Sequence, residues 1–258
     1  QAEDGIRDSV ASRGLGDVYK RQILFFLFVN FGFAQKNNAD LEGKKVLIVY
    51  GGWQGHKPKI FAEKIAKWLL EQKAEVKLFE GTGIYANPKV MKDLDLIIQH
   101  ITMDKITLKE SEGLVKTIAG GVGLAGCHGG LGDSFRENTE YQYMVGGQFV
   151  KHPGGQVSYT VQIDAKKDPI TKGINDFSLY SEQYYMHVDP ALDVLASTEF
   201  SGVHDSWING AIVPVVWKKS FDKGRVFYIS IGHSKDNFEI PEVWTLITRG
   251  VSWAAQKE

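Results

Sequence analysis

The sequence predicts an α/β domain with a mostly parallel central sheet. Two observations support this prediction. Strand-like and helix-like segments alternate through the first half of the chain, which is typical of α/β folds. Residues 45–50 form a continuous apolar run, as expected of a strand that is buried on both faces of a parallel sheet. Such a sheet has right-handed crossovers and places a ligand site at the carboxyl ends of its strands.

The individual elements follow from periodicity. Residues 57–72 carry apolar side chains at near-helical spacing, and residues 74–79 alternate as a strand does. The second half is richer in strand patterns and closes with a helix. The predicted strands are 45–50, 74–79, 94–100, 122–125, 156–163, 193–197, 212–218 and 225–231, and the predicted helices are 57–72, 107–119 and 243–255.

Composition limits the class of function. The chain has 258 residues, a net charge of −1 and one cysteine. Near-neutral charge argues against a nucleic-acid partner, because such proteins normally carry a basic face. A single cysteine excludes an internal disulfide, so stability has to come from the core of one substantial domain.

The amino-terminal residues are not expected to belong to this domain. Residues 1–22 resemble in-frame translations of sequencing adaptors, and we exclude them as an artefact rather than treat them as a genuine polar segment. Residues 23–34 are apolar and have the length of a signal-peptide core, truncated at its basic end, with a cut expected before Gln35. The alternative is a buried strand or helix. We therefore expect a domain at residues 35–258, a periplasmic or secreted location, and no membrane contact after cleavage.

A glycine-flanked histidine follows the fourth predicted strand. Gly126, His128 and Gly130 have the layout of a nucleophile elbow, in which small neighbours let one side chain project from a sharp strand-to-helix turn. Histidine at that point indicates proton transfer, metal binding or hydrogen bonding to a substrate. The alternative is a glycine-rich turn with an incidental histidine.

Other histidines also lie at strand ends, and these ends converge on one edge of a parallel sheet. This convergence favours His56, His128 and His233 as residues of one cleft, although each alone could be a capping or surface histidine. Whether His100 belongs to this cleft is left open, and His152 is expected to shape a loop.

Glu182 is the candidate acid–base carboxylate, because its aromatic neighbours could raise its pKa; the alternative is an exposed glutamate on an edge strand.

Trp53, Tyr184 and Tyr185 offer faces that could stack on a sugar, although core packing is the commoner role of an aromatic. Asp133 and Ser134 are expected to cap a helix, with Ser134 also a substrate-binding candidate.

Five blocks of the chain, taken in order, resemble the ThuA-like (trehalose utilisation) family. They are residues 46–56, 126–136, 146–153, 181–185 and 214–233. The resemblance implies a three-layer α/β sandwich with a flavodoxin-like, mostly parallel sheet, as in class I glutamine amidotransferases. It places His128 where those enzymes carry their catalytic cysteine. Cys127 lies one residue too early, so glutaminase activity is not expected.

The resemblance also implies a role in the use of trehalose or related disaccharides. We expect His128, Glu182 and His233 to carry acid–base chemistry on a 3-keto sugar, as an isomerase, lyase or hydrolase, with His56 and the aromatic candidates binding substrate. A non-catalytic sugar-binding module is the alternative.

A zinc ion on His56, His128 and His233 or Glu182 is a further option, although no H-E-x-x-H pattern is present. No G-x-G-x-x-G follows the first strand, so no nicotinamide is assigned. The sequence leaves the oligomeric state open, and a homo-oligomer is one of the options.

Overall fold

Nine strands form one mixed sheet in the structure, a computed structural model that describes residues 41–256. The predictions made for residues 1–22 and 23–34, and the domain start at residue 35, lie outside the described residues. A separate pair of strands forms a small antiparallel ribbon. The strands are β1 (Lys45–Gly52), β2 (Glu75–Glu80), β3 (Leu96–Thr102), β4 (Gly123–Cys127), β5 (Gly147–Lys151), β6 (Gln156–Ile163), β7 (Phe177–Glu182), β8 (Tyr185–Val188), β9 (Asp193–Glu199), β10 (Ile212–Phe221) and β11 (Gly224–Ile229).

The strand order of the large sheet is β2-β1-β3-β4-β11-β10-β9-β6-β7. The first five of these strands run parallel to one another, and every pairing from β11 onward is antiparallel. The parallel part contains the strands predicted from the first half of the chain, together with β11. The ribbon pairs β5 with β8.

Helices cover both faces of the sheet and complete three layers. They are α1 (Pro58–Glu71), α2 (Pro88–Met91), α3 (Leu108–Ala119), α4 (Gly129–Gly132), α5 (Thr139–Val145) and α6 (Pro241–Ala254). Short 3₁₀ turns occupy Gln54–His56, Gly83–Ala86, Ser206–Ile208 and Lys235–Glu239.

Two hydrophobic cores lie on opposite faces of the sheet. One contains Phe61 and Ile65 of α1 with Leu246 of α6, and the other contains Leu114 of α3 and Met144 of α5. Alternate residues of each central strand enter the two cores, as the period of a strand requires. The predicted three-layer α/β sandwich is therefore confirmed.

Local signals explain where the longer helices begin. Thr107 and Glu110 form a capping box in front of α3, so two of the free amides at its amino end are satisfied. Proline occupies the first position of α1 and of α6, where its fixed φ suits a helix and its missing N–H removes no bond.

The structure also contains elements that the sequence pattern did not predict: β5, β7, β8, α2 and α5. Among residues 41–256, no helix has both the length and the apolar character needed to cross a membrane.

Candidate functional site

The elbow at His128 has the predicted geometry. His128 joins β4 to α4 with φ of 51° and ψ of −146°, a conformation that costs a non-glycine residue about 1–3 kcal/mol and persists only where the surroundings enforce it. A Cβ on Gly130 would lie 2.2 Å from Nδ1 of His100, and one on Gly126 would lie 2.6 Å from the carbonyl oxygen of Gln99. Glycine is thus required on both sides of the turn.

Two hydrogen bonds fix the imidazole of His128. Its Nδ1 lies 2.8 Å from the carbonyl oxygen of Ser230, which can only accept, so Nδ1 carries the hydrogen. Nε2 then presents a lone pair and accepts from the hydroxyl of Tyr184 at 2.8 Å. The ring is fully buried, and this burial lowers the pKa of His128 despite the opposing effect of Glu182. The neutral imidazole is therefore a base with its lone pair held in one direction.

His128 lies in a cluster with three other predicted site residues, His56, His233 and Glu182. Its Nε2 is 3.1 Å from Oε2 of Glu182, and Nδ1 of His233 is 3.1 Å from Oε1 of the same carboxylate. The ring centroids of His56 and His128 are 4.6 Å apart, and those of His56 and His233 are 5.5 Å apart. The structure therefore brings together the three histidines and the carboxylate that the sequence assigned to one cleft.

Strand direction explains this convergence. His56 follows β1, His128 follows β4 and His233 follows β11, so all three lie at the carboxyl edge of the parallel strands. Glu182 ends β7, which is separated from β11 by three strands in the sheet order. Ser181 donates a hydrogen bond of 2.9 Å to Asn237 in the turn after β11, which ties the end of β7 to this edge.

The cluster contains buried polar atoms without hydrogen-bond partners. Oε2 of Glu182 and Nδ1 of His233 have none among the described residues, although each lies close to an atom of the cluster. Burial raises the pKa of Glu182, but the adjacent imidazoles of His128 and His233 lower it by more, so its pKa lies below the ordinary value. The expectation that aromatic neighbours raise this pKa is therefore wrong, because imidazoles surround the carboxylate instead.

His56 is the member of the cluster that contacts Trp53. Its Nδ1 is 3.1 Å from the hydroxyl of Thr102 at the end of β3. Burial, followed by the charge of His128, lowers the pKa of His56 to about 3, so the ring is neutral at physiological pH. Trp53 contacts the His56 ring edge-on at 4.8 Å and is 48% exposed. An aromatic surface thus lies between the cluster and solvent.

Of the remaining predicted substrate-binding residues, only Tyr184 contacts the histidine cluster. Tyr184 is buried and stacks on His128 at 4.2 Å, so the structure uses its ring and hydroxyl to hold that imidazole. Tyr185 packs edge-on against Phe200. Ser134 is fully buried and hydrogen-bonds to Gln99 and Tyr141. Neither Tyr185 nor Ser134 belongs to the histidine cluster.

The predicted capping role of Asp133 and Ser134 is wrong. No helix begins at these residues, since α4 ends at Gly132 and α5 starts only at Thr139. The side chain of Asn138 caps α5 instead, accepting from the backbone amide of Tyr141 at 2.9 Å. Asp133 binds Arg136 through both carboxylate oxygens, at 2.6 and 2.8 Å.

His152 is the site residue that sequence reasoning missed. It follows β5, and its Nε2 lies 3.7 Å from Oε1 of Glu182, while its Nδ1 has no hydrogen-bond partner within residues 41–256. Its ring stacks on Phe149 at 5.7 Å. His152 does lie in a loop, as expected, but its approach to Glu182 depends on β5, which was not predicted.

Cys127 faces the core beneath the elbow. Its Sγ is 3.6 Å from Nδ1 of His100, and both side chains are buried. Burial raises the pKa of the Cys127 thiol and lowers that of His100 to about 3, so neither group is charged at neutral pH.

Comparisons with known proteins agree with this architecture. A family model described as trehalose utilisation matches residues 45–254. A putative ThuA-like protein from Bacteroides uniformis has 20% identity and a TM-score of 0.68, over 84% of this chain and 93% of that one. One from Parabacteroides merdae has 16% identity and a TM-score of 0.69, over 83% and 91%. A β-galactosidase from Bacillus circulans sp. alkalophilus has 12% identity and a TM-score of 0.54, over 81% of this chain and 30% of that one. At these identities the likeness is one of fold. No curated protein gives a significant match.

Proposed function

Because the chain belongs to the trehalose utilisation (ThuA) family, we propose that it processes a trehalose-type disaccharide or its 3-keto derivative by proton transfer at the histidine cluster. One observation carries the proposal: the carboxylate of Glu182 lies 3.1 Å from an atom of each of two imidazoles, on an edge bordered by an exposed tryptophan. Carboxylate and imidazole are the side chains that most often move protons in enzymes.

The chemistry of a 3-keto sugar suits such a site. The ketone at C3 acidifies the C–H bond at C2, and a base that takes this proton leaves an enediolate. The electron pair can then form the C1–C2 double bond while the C1–O bond breaks, so that the second sugar leaves with the glycosidic oxygen. Reprotonation at carbon would give isomerisation instead. No oxidant or reductant is consumed in either course.

The residues divide these tasks by their surroundings. Glu182 is ionised at neutral pH, so its carboxylate has a free lone pair to accept the C2 proton, and its lowered pKa favours passing that proton on to an adjacent imidazole. His233 has the partly exposed imidazole of the cluster, so it is placed to deliver a proton to the departing oxygen. His128 presents a fixed lone pair beside Glu182, and this arrangement requires no reorganisation during the reaction.

The exposed ring of Trp53 supports a sugar as the ligand. Aromatic faces with polar neighbours suit the apolar faces of pyranose rings, and Trp53 contacts the His56 ring directly. The exposed ring of Trp53 also favours the second candidate function, a sugar-binding module. Such a module would use the cluster to hold the hydroxyl groups of the sugar without converting it to a product.

An assay with purified protein separates the two functions. We expect 3-keto-trehalose to be consumed, with release of glucose, and unoxidised trehalose to be unchanged, because only the ketone acidifies the C2 proton. Nuclear magnetic resonance would follow both sugars, and calorimetry would measure their binding. Tight binding of either sugar without turnover of the keto form would contradict the enzymatic proposal and favour the binding module.

A further inference from the structure

We propose that His56, His128, Glu182 and His233 bind one divalent transition-metal ion, with Zn²⁺ as the first candidate. Each residue offers one ligand atom, and these four atoms all lie within 4.8 Å of one another. Three imidazoles with one carboxylate form a donor set that zinc and related ions of borderline softness prefer, whereas Mg²⁺ and Ca²⁺ prefer oxygen ligands. The inference stands on this donor set and does not rest on the proposed sugar reaction.

The spacing of the donor atoms agrees with a shared ion. Ligand atoms at zinc–ligand distances of 2.0–2.2 Å in a tetrahedral site are about 3.3–3.6 Å apart. Glu182 Oε2 lies 3.1 Å from His128 Nε2, and Glu182 Oε1 lies 3.1 Å from His233 Nδ1. The four candidate ligand atoms lie within 4.8 Å of one another, so the side chains have to move closer together, with Glu182 using one oxygen, to complete a tetrahedral site.

The hydrogen bonds around the cluster direct its lone pairs inward. The Ser230 carbonyl holds the hydrogen of His128 on Nδ1, which leaves the Nε2 lone pair facing Glu182. The hydroxyl of Thr102 lies 3.1 Å from Nδ1 of His56, and such partners orient the histidines of metal sites.

Unpartnered atoms supply an independent observation. Oε2 of Glu182 and Nδ1 of His233 are buried without a hydrogen-bond partner in the described part of the chain. An unpaired buried carboxylate oxygen is costly, and a cation satisfies it together with the facing imidazole nitrogens. Surface histidines that happen to be near one another do not have this property.

Tyr184 provides a test of this geometry. Its hydroxyl donates to Nε2 of His128 at 2.8 Å and so competes with an ion for the same lone pair. Tyr184→Phe removes the competitor while it keeps the stacked ring. We expect this variant to bind Zn²⁺ at least as tightly as the original chain, whereas an acid–base site without metal gives no reason for any affinity.

The proposal changes what the cluster does in the reaction if both inferences hold. A bound ion supplies a Lewis acid that can polarise the sugar carbonyl. His128 and Glu182 would then hold the ion, and His152, whose Nε2 lies 3.7 Å from Glu182 Oε1, remains as the imidazole outside the coordination that can accept a proton.

The experiment titrates chelator-treated protein with Zn²⁺ and Co²⁺ by calorimetry, with the visible absorption of Co²⁺ as a second readout. We expect one ion per chain and a rise in melting temperature on loading. Glu182→Gln and His233→Ala should each weaken binding by at least about tenfold, since losing even an indirect partner of a metal ligand costs that much. His233 is the safer variant for folding, because its side chain is partly exposed.

His187→Ala is the matched control, since His187 is an exposed histidine on β8 outside the cluster. It should bind both ions as the original chain does. The proposal is overturned if the folded chain binds no Zn²⁺, or if the cluster variants and His187→Ala bind it equally well. Because binding is measured without sugar, this failure is distinguishable from failure of the proposed reaction.

Discussion

Replacing His128 with alanine is expected to lower the proposed turnover of 3-keto-trehalose by on the order of a hundredfold or more. The elbow backbone, the Ser230 carbonyl and the Tyr184 hydroxyl together hold this imidazole in one orientation beside Glu182. Alanine removes the lone pair whether it takes up a proton or binds an ion. Steady-state rates with purified protein measure the effect, and circular dichroism establishes that the variant is folded.

Two further variants separate this effect from damage to the turn. His128→Asn keeps a polar side chain that tolerates positive φ, so it should fold as well as the original chain and still lose activity. Cys127→Ala alters the neighbouring residue, whose buried thiol stays protonated, and should change the rate little. A Cys127→Ala variant that is inactive while His128→Ala is active would contradict the assignment of the elbow.

Glu182→Gln is expected to have an effect of similar size, on the order of a hundredfold in turnover. Glutamine keeps the shape of the side chain but removes both the negative charge and the ability to accept a proton. The adjacent imidazoles of His128 and His233 hold the pKa of Glu182 below its ordinary value, so the original residue is ionised at neutral pH. The loss should therefore appear in turnover across the neutral range.

Glu199→Gln serves as the control for this change, because Glu199 is an exposed glutamate at the end of β9. Its replacement makes the same change in net charge at an exposed side chain that is not part of the cluster. Equal rates for Glu182→Gln and Glu199→Gln would show that the buried carboxylate has no part in the reaction. A loss in both variants would indicate a general electrostatic effect.

Much of the fold and part of the site could be predicted from the sequence. Continuous apolar strands and periodic helices fixed the parallel half of the sheet, and the rule that parallel strands end at one edge brought His56, His128 and His233 together. The flanking glycines at 126 and 130 indicated the turn at His128, because only glycine fits against Gln99 and His100.

It was harder to predict which residues from the second half of the chain reach the histidine cluster. His152 reaches the cluster at the end of β5, and Glu182 does so through the tie between Ser181 and Asn237, which are 56 residues apart. Such contacts depend on antiparallel pairing over long sequence separations, which periodicity does not encode. Tyr184 was expected to offer a face to a sugar, but its burial against His128 depends on the same tertiary arrangement.

Deuterium incorporation tests the central claim, proton transfer from sugar carbon at the cluster, most directly. The protein is incubated with 3-keto-trehalose in deuterated water, and nuclear magnetic resonance follows the C2 hydrogen of the oxidised ring and the products. We predict protein-dependent exchange or loss of this hydrogen, abolished in both His128→Ala and Glu182→Gln and retained in Glu199→Gln. A C2 hydrogen that persists at its uncatalysed rate while the sugar is bound would contradict the account.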